Sequence, residues 1–176
     1  MTAADLAALP DSGRRYELVR GELHEMPPPR YRHGATVGRV CVALTTYVEA
    51  HQLGEVLCGD TGFLLERDPD TVRAPDVSFM HIDRIPKGPE RDRYLDTPPD
   101  LAVEVLSPDD RPGPIAAKVH AYLRAGVRMV WLVDPRGGDV QVFTAEGPPR
   151  TYGPIDEVDG DPVLPGFRCP GRDLLA

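Results

Sequence analysis

Residues 101–134, "LAVEVLSPDDRPGPIAAKVHAYLRAGVRMVWLVD", decide the fold. Leu101, Val103 and Val105 alternate with Ala102, Glu104 and Leu106, so both faces of the first segment are apolar, as in a strand covered on both sides. "SPDDRPGP" supplies a turn, with Asp109 and Asp110 as cap candidates and Pro114 as the expected first helical residue. Ile115, Val119, Tyr122 and Leu123 then mark one helical face, which closes at Gly126. "VRMVWLVD" reads as a second buried strand. Strand, helix and strand in this order call for a right-handed crossover, which makes this part of the sheet parallel. The expected architecture is α/β, a mixed β-sheet flanked by helices.

Glu104 is the residue that does not fit. An ionised Glu is almost never fully buried without a partner, because desolvating the charge is costly. Three positions offer one. Asp76 opens the apolar strand "APDVSFM" and puts a carboxylate at the entrance to the sheet. Lys118 lies at the margin of the helical face, three residues after Ile115 and four before Tyr122, within reach of the sheet. His33 precedes a long helix. Two carboxylates held close repel each other unless a divalent cation or a Lys restores the balance, so a metal site and a structural ion pair both remain open.

Outward from this core, "RYELVRGELHEM" reads as an N-terminal hairpin turning at Arg20-Gly21, closed by Pro27 to Pro29. Residues 2 to 9 suit a short helix with Thr2 as cap and Asp5 three residues on. The spacing of Val37, Val40, Cys41, Leu44, Tyr47 and Val48 predicts a helix over 35–53. "GEVLCGDTGFLLE" and "VRAPDVSFM" are expected to be antiparallel neighbours joined by "RDPDT". Residues 83 to 99 read as a surface loop, "GGDVQVFT" as a hairpin partner of "VRMVWLVD", and the tail as a short strand plus turns.

The 176 residues suit one domain, 1–176, and their net charge of −8 gives no general attraction to polyanions. That excludes a passive nucleic-acid coat more than an enzyme, because acidic residues at a metal site lower the sum while local basic strips still hold phosphates. Cys41, Cys58 and Cys169 are odd in number and share no CxxC spacing, so neither a disulfide framework nor a zinc site is indicated, and a cytoplasmic setting fits. No run approaches a membrane span. There is no GxxxxGK loop, GxSxG elbow or HExxH.

"APDVSF", then "PDLAVEVLSP", then Lys118 fourteen residues after the Glu, then "YLRAGVRMVWLVDP" resemble the Uma-two-type family of restriction-endonuclease-like proteins, a branch of the PD-(D/E)xK nuclease superfamily. "RYELVRGELHEMPPP" followed by His33 is similar to the family's N-terminal signature, so the likeness runs from about residue 14 to the C-terminus. The resemblance implies a restriction-endonuclease-like fold and a metal-dependent endonuclease acting on DNA. The superfamily's lysine ordinarily stands two residues after the acidic one, where this chain has Leu106. By resemblance, that role passes to Lys118.

The chemistry asks for these residue types. A phosphodiester is already negative, and its hydrolysis needs a hard cation that neutralises developing charge and acidifies water. Asp76, Glu104 and the Val105 carbonyl would hold Mg²⁺ or Mn²⁺, and Lys118 would orient or deprotonate the attacking water or stabilise the transition state. His33, Glu17 and Glu22 are accessory candidates, for phosphate contact or an extra ligand. The same fold also accommodates a non-catalytic binding or regulatory module, or a hydrolase of RNA or another phosphoester. A homodimer would help hold two strands of a duplex.

Overall fold

The computed structural model describes residues 1–10, 12–59 and 61–176. The crossover is built as expected: β-strand Leu101–Val105, α-helix Pro112–Arg124, then β-strand Met129–Asp134, paired in parallel with Leu101 beside Met129 and Val105 beside Val133. With the remaining elements numbered in chain order, these are β7, α3 and β8. They form the middle of a six-stranded sheet of order β10-β9-β8-β7-β6-β3, where β3 is Gly54–Cys58, β6 Val77–His81, β9 Asp139–Thr144 and β10 Arg150–Tyr152. The other pairings of this sheet are antiparallel. The sheet is therefore mixed.

Strand alternation sorts the core. Leu101, Val103 and Val105 face α2, the helix Tyr31–Ala50, and pack with its Val40, Leu44 and Val48 and with Trp131 and Phe79. Ala102 packs on the other face with Val119 and Tyr122 of α3, and that is the face to which Glu104 also belongs. Helix α2 starts four residues before the expected Ala35, so His33 lies in its first turn rather than ahead of it. Apolar periodicity could not find that start, because Tyr31, Arg32 and Gly34 are exposed. At α3 the first helical residue is Pro112, not Pro114, and Arg111 occupies the cap position without a side-chain bond. Asp110 instead accepts from the Ser107 N–H and closes the preceding turn.

A second sheet, of order β2-β1-β5-β4, holds the N-terminal hairpin. Its strands are β1 Arg15–Val19, β2 Glu22–Met26, β4 Phe63–Glu66 and β5 Thr71–Arg73. Helix α1, Ala3–Ala7, carries the expected Thr2 and Asp5 capping box and buries Leu6 against Leu18, Leu64 and Val72. The two β-rich segments expected to pair do so, but each is split between the sheets: β3 pairs β6, and β4 pairs β5. In the second segment the break falls at Ala74-Pro75, where proline has no N–H to give to a ladder. Asp76 begins at this seam.

The tail adds strands β11 Glu157–Asp159 and β12 Arg168–Pro170 and helix α4 Gly171–Leu174. It buries Val158, Leu164, Phe167 and Leu174 into the core on the α2 side, so it is more than the strand and turns read from its Pro and Gly content. The cysteine spacing is misleading in the same way. Cys41 on α2 and Cys58 on β3 are joined as a disulfide with Cα atoms 6.5 Å apart, and Cys169 stays free and buried. Among the described residues no helix is long and apolar enough to cross a membrane.

Gly54 opens β3 at φ +153°, and a Cβ there would collide with the Met80 carbonyl oxygen. Gly54→Ala should therefore cost about 1–3 kcal/mol from overpacking alone. A urea denaturation series would read this as a lower midpoint with an unchanged slope.

Candidate active site

The site forms where the second sheet meets the edge of the β7–α3 crossover. Glu104 is 7 % exposed and Lys118 9 %. Lys118 Nζ donates to Glu104 Oε2 at 2.8 Å, and the Tyr122 hydroxyl donates to Glu104 Oε1 at 2.6 Å. Both donors come from one face of α3, four residues apart, which is the spacing that stacks side chains along a helix. The partner of the buried strand carboxylate is thus a Lys and Tyr pair.

Lys118 has a second acceptor. Glu17 of β1, 2 % exposed, lies 3.1 Å from Nζ through Oε1, and its Oε2 accepts from Arg73 Nη1 at 2.6 Å. The Ala74 N–H also donates to Glu17 Oε1, at 3.1 Å, tying the seam to the hairpin. Asp76 stands at the other side of Glu104, with side-chain exposure of 12 %. Its Oδ2 accepts the Val105 N–H at 2.8 Å and lies 3.3 Å from His33 Nε2. His33 Nδ1 is buried and has no hydrogen-bond partner among the described residues. Glu17, His33, Arg73, Asp76, Glu104 and Lys118 all line one cleft of about 1060 Å³.

The electrostatics follow from burial and from who sits beside whom. Burial pushes the Glu104 carboxyl up to about 7, with Asp76 and Glu17 adding to the rise and Lys118 opposing it. Burial alone would lower the Lys118 ammonium, but Glu104 and Glu17 outweigh it and hold it above its ordinary value. Lys118 is therefore a fixed cation at neutral pH. Burial would likewise raise Glu17, yet Lys118 and Arg73 keep it below the usual carboxylate value. Burial, then the Glu104 charge, raises Tyr122 well above an ordinary phenol, so it stays protonated and donating. The hydrogen bond to Asp76 raises His33.

Sequence reasoning brought Asp76, Glu104, Val105, Lys118 and His33 to one place, and the fold keeps them together. Glu17, read as an exposed hairpin charge or accessory ligand, proves buried at the centre. Glu22 does not join: it is exposed at the hairpin turn, outside the cleft. Tyr122 and Arg73 went unnoticed. Tyr122 was hidden in the apolar periodicity of α3, and Arg73 reaches the site through the β1–β5 pairing, which local sequence does not encode.

The chain was compared with known proteins. A family model described as "Putative restriction endonuclease", Uma2, matches residues 3–172. The chain belongs to this family. Among solved structures, a protein titled "putative nuclease belonging to DUF820" from Anabaena variabilis superposes on this Uma2 chain with a TM-score of 0.85, at 21 % identity, over 99 % of this chain and 97 % of the other. At that identity the likeness carries the fold alone. No curated protein matches.

The carboxylates of this Uma2 chain leave room for a divalent cation. Asp76 uses only Oδ2 in bonds to the described residues, and each Glu104 oxygen accepts a single hydrogen bond, so carboxylate lone pairs remain. Among the described residues no group of three His, Cys, Asp or Glu side chains suits a metal. A cation here would thus rely on Asp76, Glu104, the Val105 carbonyl and water, all hard oxygen donors that suit Mg²⁺ or Mn²⁺. Tyr122 orients Glu104. A cation held here would bind about 10–100-fold more weakly in Tyr122→Phe, the usual cost of losing a partner that orients a ligand, with calorimetric titration of Mn²⁺ as the readout.

Proposed function

We propose that this protein is a metal-dependent endonuclease that hydrolyses DNA phosphodiester bonds at the Asp76, Glu104 and Lys118 site. The observation that carries the reading is the buried Lys118 ammonium, 2.8 Å from Glu104, on the floor of an open cleft that also holds Asp76. A bound Mg²⁺ or Mn²⁺ would neutralise phosphate charge and lower the pKa of a nearby water. The chain's own residues do the rest. Asp76, Glu104 and the Val105 carbonyl hold the cation, and Lys118, fixed as a cation by two carboxylates, stabilises the charge that develops on the phosphoryl oxygens. Because Lys118 keeps its proton, orienting water and stabilising charge suit it better than acting as the base. His33, hydrogen-bonded to Asp76, holds that carboxylate in place.

The test incubates purified protein with supercoiled and single-stranded DNA in Mg²⁺, Mn²⁺ or EDTA, beside a folded Asp76→Asn variant. Cutting that needs metal and is lost in the variant supports the reading. Cutting that survives EDTA sinks it.

One observation favours a second reading, a non-catalytic binding module. Both Glu104 oxygens already accept hydrogen bonds, from Lys118 and Tyr122, as in a structural ion pair. Absence of cutting together with absence of Mn²⁺ binding would move the assignment to that module.

A further inference from the structure

Arg73 carries an unexplained donor. Leu18 of β1 pairs with Val72 of β5 in antiparallel register, which puts Glu17 and Arg73 side by side on the face that looks into the cleft. Arg73 Nη1 donates to Glu17 Oε2 at 2.6 Å, and its side chain is 14 % exposed. Its Nε is buried and has no hydrogen-bond partner among the described residues. A guanidinium offers five N–H donors in a planar fork, and a buried donor left unmade is costly enough to need a reason.

Neutralising Glu17 is not a sufficient reason. Lys118 already lies 3.1 Å from the other Glu17 oxygen, so one carboxylate carries two cations next to each other. Both cations line the cleft, beside the acidic pair Asp76 and Glu104. A guanidinium and an ammonium held on a common anion, with donors to spare, form a seat for a tetrahedral oxyanion, and the Arg fork matches two of its oxygens at once. We propose that Arg73, held on Glu17 beside Lys118, binds the phosphate group of the DNA strand that enters the cleft. This assignment rests on the nuclease reading and adds to it a phosphate-holding residue distinct from the metal ligands.

The test reads binding rather than cutting. A labelled single-stranded oligonucleotide is titrated in EDTA over a series of KCl concentrations, for the unmodified protein and for Arg73→Gln, Arg73→Lys and the exposed control Arg124→Gln. Removing one phosphate contact lowers the slope of log K against log salt by about 0.7. Arg73→Gln should show this loss, Arg73→Lys should restore the slope by returning the charge, and Arg124→Gln should leave it unchanged. A purely structural Arg73 lowers thermal stability without moving the slope.

Because Arg73→Gln leaves Glu17 with one cation fewer, the pair Glu17→Gln with Arg73→Gln removes both charges and keeps the assay interpretable if the single variant unfolds. A parallel arm titrates inorganic phosphate. Phosphate binding lost in Arg73→Gln with an unchanged oligonucleotide slope assigns the seat to free phosphate and overturns the proposal. An unmodified protein that binds and cuts DNA while Arg73→Gln keeps its slope overturns this inference alone. An unmodified protein that binds neither strand nor phosphate overturns the seat, and if it also fails to cut DNA and to bind Mn²⁺ the nuclease reading falls with it.

Discussion

Replacing Lys118 with Met should lower the unfolding free energy by about 3–5 kcal/mol near pH 8, and by less near pH 6. The ammonium is held between Glu104 and Glu17 at 2.8 and 3.1 Å, so its removal leaves two buried carboxylates of which, among the described residues, Glu17 alone keeps an ion pair, with Arg73. Each then resists ionisation, so the folded pKa of Glu104 moves further above its ordinary value and that of Glu17 rises from below it. A carboxyl whose folded pKa exceeds its unfolded value loses stability as pH climbs through the interval between the two, so the gap from the unmodified protein widens toward alkaline pH. The double variant Lys118→Met with Glu104→Gln should recover most of the loss, because it removes one of the stranded charges. Urea denaturation at the two pH values measures all three. A Lys118→Met protein as stable as the original at both would mean that the ammonium is solvated.

The second large effect separates stability from function. Glu104→Gln should abolish Mn²⁺ binding and reduce metal-dependent cutting by at least about 10²-fold, a typical cost of deleting one electrostatic element of a site. Yet the metal-free variant should be at least as stable near pH 8. Burial raises Glu104 to about 7, so folding favours its neutral form between about pH 4.5 and 7, and its charge weighs against the fold above that window. A neutral amide removes that pH dependence, its one oxygen still accepts from Lys118, and its N–H group donates to the Tyr122 hydroxyl oxygen instead. Calorimetric titration of Mn²⁺ and denaturation across pH on the same samples test both halves. A variant that is inactive and also markedly unstable would mean that Glu104 serves the fold first.

How much of this was legible in the sequence depends on how local each signal is. The crossover was, because strand, helix and strand each carry their own periodicity within residues 101–134. Glu104 announced itself as a charge in an apolar strand, and Lys118 and Asp76 followed as its possible partners. Tyr122 did not, because an aromatic on the apolar face of a helix looks the same whether its hydroxyl is idle or is a donor to a buried carboxylate. Glu17 and Arg73 were illegible for a different reason. Their burial comes from pairing strands more than fifty residues apart and from laying that sheet over α3, so alternation within β1 shows which side Glu17 faces but not what covers it. The split of two β-rich segments between the sheets and the Cys41–Cys58 pairing are long-range facts of the same kind.

The seam itself has a consequence for how such a site can change. Arg73 ends one sheet, Asp76 precedes the other, and the two residues between them are the tether, pinned by the Ala74 N–H to Glu17. The chain thus contains its own ruler: three peptide bonds set how far Arg73 stands from Asp76. One inserted residue there would leave every side chain of the cluster present and move the two halves out of step. Substitutions in the cluster are the visible way to lose such a site, and a change in the length of its spacer is the silent one.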